Sequence, residues 1–486
     1  MDKQIFSKIS ALCRVIFGFF LIVFLMFVMV LDVHASGPLF AKPTLTGAGD
    51  CSSWTDACTL QTALAQAVSG DVIWVAAGVH TPGTARENSF AMKSGVQVYG
   101  GFAGTETELE ARDWFANPTV LSGDIDHNDT KDANGIVTNV SGIVGANAYH
   151  VLIGSGADAS AVFDGFIINA GQANGTSSYQ DQGGGVFLSQ GNPSLNNLVI
   201  SANTANSQGA GLLNDHSSAN LTNLAFRGNF VPGNYNQAGG MLNYGGSPTL
   251  SNVLFSGNYA YYGGGFASTG GSPILINATL SGNNGPDAGA MYIWSGTTTL
   301  TNAIIWGNNS TIGGIGATVT HSIIQGGYTG TGNLNVDPLF VDGRLYTEAP
   351  TTAGDYRLRY GSPAIDVGNN TPVTSVTDLD GNARLVDGDG DASNVVDPGA
   401  YERQAYILTV NVEGSGNVII SPVQTSYGYH ELVTLTANAD SHWNFTAWSG
   451  DVVGTITPLD LLIQGNTVIT ATFVEVFLIF IPLIQN

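Results

Sequence analysis

Apolar and polar residues alternate in short runs through the middle of the chain, and the same runs return at near-constant intervals. Leu195, Leu221, Leu250, Leu275 and Leu300 form one apolar column. Leu198, Leu224, Val253, Ala278 and Ala303 form a second, and Ile200, Phe226, Phe255, Leu280 and Ile305 a third. Each run follows a glycine-rich opening, as in Gly183-Gly184-Gly185-Val186, Ala238-Gly239-Gly240-Met241 and Gly263-Gly264-Gly265-Phe266, and the columns step by 26, 29, 25 and 25 residues. Period-two patterning with β-branched and aromatic residues predicts strands, and the Gly, Asn and Ser between the runs predict turns. A unit this small cannot bury its own apolar face, so neighbouring units must stack. The pattern predicts an all-β fold: a right-handed parallel β-helix of three short strands per rung, with like residues about 4.8 Å apart along the axis.

Two asparagine columns accompany the apolar ones, at Asn197, Asn223, Asn252, Asn277 and Asn302 and at Asn203, Asn229, Asn258, Asn283 and Asn308. Asparagine tolerates the left-handed backbone of a turn, and stacked amides can hydrogen-bond as a ladder. A column present on every rung is expected from structure rather than from ligand binding.

The pattern changes on either side. Lys3, Lys8 and Arg14 precede an apolar run from Val15 to Leu31, with Val33-His34-Ala35 as a small-residue cleavage site. Residues 1–35 therefore read as a signal peptide, and membrane attachment is expected only through an uncleaved leader or surface retention. Leu60, Leu64 and Val68 predict a short amphipathic helix covering the first rung, ahead of a first strand at Val72–Val75. The β-helix with its cap is assigned to 36–336 and a closing acidic unit over the last rung to 337–403. A separate module of alternating strands follows over 404–474, then an apolar tail over 475–486, too short to span a bilayer.

Charge and cysteines narrow the class. The chain has 37 acidic and 14 basic residues, which argues against nucleic acid or anionic lipid as partners. Past the leader only Cys51 and Cys58 remain. In an exported chain such a close pair is expected to form a disulfide.

The Gly-Gly-x-apolar openings, with Phe226-x-x-Asn229 and Phe255-x-x-Asn258, resemble repeats of the polymorphic outer-membrane protein type within the right-handed parallel β-helix superfamily. The Tyr99-Gly100-Gly101-Phe102 segment and the pair Asp378-Leu379-Asp380-Gly381-Asn382 and Gly399-Ala400-Tyr401-Glu402 are similar to exported bacterial β-helix proteins. Residues 405–474, with Phe445-x-x-Trp448-Ser449-Gly450-Asp451, resemble a divergent repeat of bacterial surface internalin-like proteins. The resemblance implies surface display and adhesion. It departs where a carboxy-terminal barrel is usual, because the roughly 80 residues after the closing unit are too few for one.

Chemistry is sparse in the repeats. A lyase needs a base and cations to neutralise the substrate carboxylate, yet between Lys131 and Arg344 the only Lys or Arg is Arg227, which falls in an outward column and reads as a solvated arginine. A glycoside hydrolase needs two carboxylates flanking one bond, and no glutamate occurs between Glu110 and Glu348. Asp215-His216 is a conspicuous pair, but strand neighbours point to opposite faces. No catalytic constellation is therefore expected; a polysaccharide lyase or glycoside hydrolase using residues 90–182 is the alternative.

Binding has more support. The outward column Ser189, Asp215, Tyr244, Thr269 and Trp294 sets Tyr244 and Trp294 two rungs apart, about 10 Å along one face, near Tyr235, Tyr259, Tyr261 and Tyr262. Such rings suit the stacking of sugars from an extracellular glycan or a cell-surface partner. Calcium is the expected cofactor: Asp387, Asp389 and Asp391 place carboxylates at alternating positions of a flexible loop, with Asp397 downstream, and Asp378 and Asp380 with Asn382 form a second triplet. Asp124, Asp126, Asn128, Asp129 and Asp132 form a looser third. Hard oxygen ligands suit that ion's demand for about six to eight oxygens.

Overall fold

The left-handed corner at one asparagine per rung organises the solenoid. In Ser194–Ser201 the inward side chains are Leu195, Leu198 and Ile200. A straight strand would put Leu195 and Leu198 on opposite faces. Asn197, at φ 52°, turns the chain between them, and Asn223, Asn252, Asn277 and Asn302 repeat the corner at φ 53–57°. Each corner amide donates to the one before it: Asn223 to Asn197 at 3.0 Å, Asn252 to Asn223 at 2.9 Å, and Asn302 to Asn277 at 2.9 Å. The second asparagine column runs the other way. Asn203, Asn229, Asn258 and Asn283 each donate from Nδ2 to Oδ1 of the following rung at 2.9–3.0 Å.

The computed structural model describes residues 37–177 and 179–477; the leader read over 1–35 and the tail beyond 477 lie outside the described residues. The described residues from Leu39 onward form one compact unit, a right-handed parallel β-helix followed by a small β-module. Its larger sheet runs in order through Leu39–Ala41, Val72–Ala76, Gln97–Phe102, Val162–Asn169, Ser194–Ser201, Asn220–Arg227, Thr249–Ser256, Ile274–Ser281, Thr299–Thr301 and Thr318–Thr320. The second sheet includes Val186–Ser189, Leu212–Asp215, Met241–Tyr244, Phe266–Thr269 and Met291–Ser295. Val186 pairs with Leu212, Leu212 with Met241, Met241 with Phe266 and Phe266 with Met291, the register read from the repeat. The expected third strand is reduced mostly to single bridges such as Phe230 to Tyr259 and Tyr259 to Asn284.

The columns fill the core. Leu195, Leu221, Leu250, Leu275 and Leu300 are fully buried, and Phe226 stacks on Phe255 with ring centres 4.7 Å apart. The helix Leu60–Gln66, capped by Thr59 Oγ1, buries Leu60, Ala63 and Leu64. The expected first strand is second in the sheet, since Leu39–Ala41 pairs outside it. Cys51 and Cys58 are joined as a disulfide beside that edge.

The closing unit does not sit where the sequence suggested. Residues 326–335 fold back at the end of the coil, with Tyr328 Oη accepting from the Ala317 amide at 3.0 Å. The acidic unit instead runs back along the flank of the larger sheet. Its Tyr356, Leu358, Ala364, Ile365, Ala400 and Tyr401 pack on Ala225, Leu254, Ile304 and Ile323 of successive rungs. Asn252 Nδ2 donates to Thr377 O, Asn302 Nδ2 to Asn369 O, and Thr352 Oγ1 to Thr138 O, all at 2.7–2.9 Å. Arg227, expected in solvent, lies beneath this unit and donates to Gly354 O at 3.0 Å.

The module holds six strands in two three-stranded sheets, Leu408–Glu413, Trp443–Gly450 and Thr467–Glu475 in one and Gly416–Ser421, Leu432–Ala439 and Leu459–Leu462 in the other. Trp448, Val433, Leu435 and Phe473 fill the space between. It meets the closing unit through Arg403 Nη2 to Ser426 O and Arg357 Nη1 to Tyr429 O.

Candidate functional site

On the second sheet the strand Met291–Ser295 carries one residue more than its neighbour before the turn. The register slips between Ser268 and Thr269, so that Thr269 pairs with Ser295 and Trp294 is left out of the ladder. Trp294 therefore leaves the column shared with Tyr244. It packs against Tyr262 at 5.0 Å and Tyr292 at 4.8 Å, and Tyr262 meets Tyr261, which meets Tyr235 at 5.3 Å. The result is one contiguous patch of five rings on a flank of the coil. Tyr235 is 70 % exposed and Trp294 40 %. Asp287 lies close enough to join burial in holding the Tyr262 phenol above its ordinary value.

Tyr244 belongs to a different group. Asp215 Oδ1 lies 2.6 Å from His216 Nδ1, and the His216 ring meets Tyr244 edge-on at 5.4 Å. The two strand neighbours face each other, contrary to the alternation rule, because His216 sits at φ 52° just past the end of Leu212–Asp215. Ser189 Oγ donates to the other Asp215 oxygen at 3.3 Å.

The acidic residues of the closing unit separate into two sets. Asp378 accepts from the Asp380 and Asn382 amides through Oδ1 and from the Glu402 amide through Oδ2, so its carboxylate holds a turn together. Asp380 lies 4.0 Å from Arg357 Nε. Burial first, and Asp378 second, push the Asp380 carboxyl up to about 7. Asp391 is exposed and accepts from the Ser393 amide. Asp387 and Asp389 converge instead on Asp366, with one oxygen of each within 4.8 Å of the others; Asp366, Asp397 and Glu402 converge in the same way. Burial pushes the Asp366 carboxyl up to about 6. Asp397 and Glu402 are also driven above the usual carboxylate range, by burial and, for Glu402, by its neighbour Asp397. Sequence reasoning missed Asp366 and Glu402 as members of this group. Their motifs, Ser362-Pro363-Ala364-Ile365-Asp366 and Asp397-Pro398-Gly399-Ala400-Tyr401-Glu402, were visible, but nothing in the spacing says that they meet.

A cleft of about 290 Å³ opens between the closing unit and the module, lined by Asp355, Arg357, Asp380, Glu402, Tyr429 and His430 among others. A neighbouring cavity of about 280 Å³ shares Asp355, Arg357, Asp380, Tyr429 and His430 and adds Arg227 and Tyr401. Arg357 is engaged by Asp355 through Nε at 2.9 Å, which lowers the Asp355 carboxyl against the opposing cost of burial.

Residues 406–476 match the family model of the Divergent InlB B-repeat domain, in agreement with the internalin-like reading of the module. No curated protein matches the chain. Among solved structures, the crystal structure of pectate lyase Pel9A superposes with a TM-score of 0.38 at 12 % identity, over 75 % of this chain and 96 % of that one. Among the described residues no helix is long and apolar enough to cross a membrane.

Proposed function

We propose that this chain is an exported, cell-surface β-helix protein that holds an extracellular glycan or a cell-surface partner on the face formed by Tyr235, Tyr261, Tyr262, Tyr292 and Trp294. The observation that carries this reading is the continuous run of ring contacts at 4.8–5.3 Å, open at both Tyr235 and Trp294. Rings that pack edge to face leave other faces free, and an exposed apolar patch rimmed by polar residues marks an interaction surface. The leader and the internalin-like module support export and surface display.

The ligand class follows from charge. Arg227, the only Lys or Arg between Lys131 and Arg344, is held beneath the closing unit. The patch thus has no cation of its own rungs to receive a uronate or sulfate, and a neutral glycan fits it better. Retention of the full chain on insoluble neutral polysaccharides, with Trp294→Ala as comparison, tests the reading. Equal retention of both proteins would remove it.

The second reading, a polysaccharide lyase or glycoside hydrolase, draws on the cleft where Asp355, Arg357, Asp380, Tyr429 and His430 come together. Carboxylates beside a guanidinium could move a proton at a glycosidic bond. New reducing ends or unsaturated products from a polysaccharide panel, abolished by Asp380→Asn, are the outcome this reading requires.

A further inference from the structure

Three segments of the closing unit meet through Asp366, which forms one acidic triad with Asp387 and Asp389 and another with Asp397 and Glu402. Oxygens sharing one calcium ion at about 2.4 Å lie at most about 4.8 Å apart, the limit within which both acidic groups fall. Clustering alone would fit a solvated acidic turn. The burial and the missing partners do not. Glu402 is 4 % exposed and Asp397 1 %. One Glu402 oxygen accepts from the Asp397 amide at 3.0 Å, while Oε1 is buried and has no hydrogen-bond partner. Asp366 Oδ2 accepts from the Gly388 and Asp389 amides, while Oδ1 is likewise buried and unpartnered. A carboxylate oxygen left so is costly unless a cation or proton meets it.

The nearby cations do not supply that partner. Arg384 stands 3.8 Å from the other Glu402 oxygen and donates to Asp397 O at 2.9 Å. The Arg403 guanidinium turns to Gly388 O and to Ser426. Two arginines thus face five carboxylates. We propose that the closing unit binds one divalent cation, calcium by its all-oxygen donor set, between Asp366, Asp397 and Glu402, with the loop of Asp387 and Asp389 meeting the site through Asp366. This goes beyond the glycan reading and does not depend on it. Thiol and imidazole are absent from both groups, which excludes soft-metal chemistry, and an irregular, highly anionic loop suits calcium better than the strict octahedron of magnesium.

The ion would join the segments of Asp366 and of 397–402 where they rest on the coil. Gly399 N donates to Asn302 O at 2.8 Å and Ala400 N to Thr279 Oγ1 at 2.9 Å. Calcium binding is therefore coupled to the docking of the closing unit on the rungs.

Titration calorimetry of the chelator-treated full chain with CaCl2 tests the site, with thermal unfolding in CaCl2 or EDTA as a second readout. Saturable uptake of one ion below about 1 mM is expected. Glu402→Gln and Asp366→Asn should each weaken it at least about tenfold, whereas Asp391→Asn leaves it within about twofold. Glu402→Gln keeps the side-chain shape, so it serves if Asp366→Asn does not fold. No saturable uptake, uptake unchanged in both variants, or equal affinity for MgCl2 would each overturn the proposal.

Discussion

Asn229 and Asn258, 29 residues apart in sequence, are bonded through their side-chain amides at 3.0 Å, and Asn258 Oδ1 also accepts from the Asn229 backbone amide at 3.0 Å. Asn258 Nδ2 in turn donates to Phe226 O and to Asn283 Oδ1, both at 2.9 Å. One fully buried side chain thus satisfies polar groups on both neighbouring rungs. Removing it leaves several of them without partners, each costing about 1–3 kcal/mol. Asn258→Ala should lower unfolding free energy in urea by about 3 kcal/mol or more. Asn417→Ala, at an exposed site in the module, should change it by less than about 0.5 kcal/mol. Similar small losses for both would show that the ladder contributes little.

Arg227 anchors the flank contact. Its guanidinium donates to Gly354 O at 3.0 Å and lies 5.9 Å from the Tyr356 ring. Hydrogen bonds from charged groups are worth about 1.5–3 kcal/mol each. Arg227→Ala should expose 337–403 to limited proteolysis while the repeats resist it. Cleavage confined to the repeats would contradict the anchoring role.

His80 gives the solenoid a signature in pH. The ring is 3 % exposed, bonds Ala76 O at 2.9 Å, and is held by burial at about 4 against an ordinary 6.5. The unfolded chain takes up a proton first as pH falls. The neutral-His contribution is therefore complete above pH 6.5, is lost between about 6.5 and 4, and is gone below. The full difference is about 3 kcal/mol. Urea midpoints from pH 7 to 4 should show this loss in the native chain, and His80→Gln should lack that increment of slope. Identical slopes would remove His80 as its source.

The two aromatic groups separate in a binding assay. Tyr244 packs on His216 and not on the five-ring patch. Tyr244→Ala should leave glycan binding within about twofold, whereas Tyr262→Ala, which removes the ring joining Tyr261 to Trp294, should weaken it about tenfold or more, the range of losing an aromatic contact of 1–3 kcal/mol. A larger loss at Tyr244 would move the site to Asp215 and His216.

Much of this architecture was legible because strict columns have only one physical explanation. Leu195 and its counterparts fixed the register, and the asparagine columns pointed to the ladders. The flank contact was harder to read. Ala225, Leu254 and Ile304 form an apolar outward column, a sign that something covers that face, but nothing in the repeat says which segment does. The bulge at Trp294 left no trace in the spacing. Met291 to Leu300 spans as many residues as Phe266 to Leu275, because a longer strand is offset by a shorter turn. Asp366 and Glu402 meet only once the chain has folded back on the rungs, and local motifs do not encode that closure.

Affinity electrophoresis through gels containing neutral polysaccharides tests the functional account most directly, with the full chain run beside the Tyr235→Ala/Trp294→Ala double variant. The account predicts retardation of the native chain by at least one neutral glycan, with mobility restored in the double variant at an unchanged melting temperature. Equal mobility of the two proteins in every gel would contradict it.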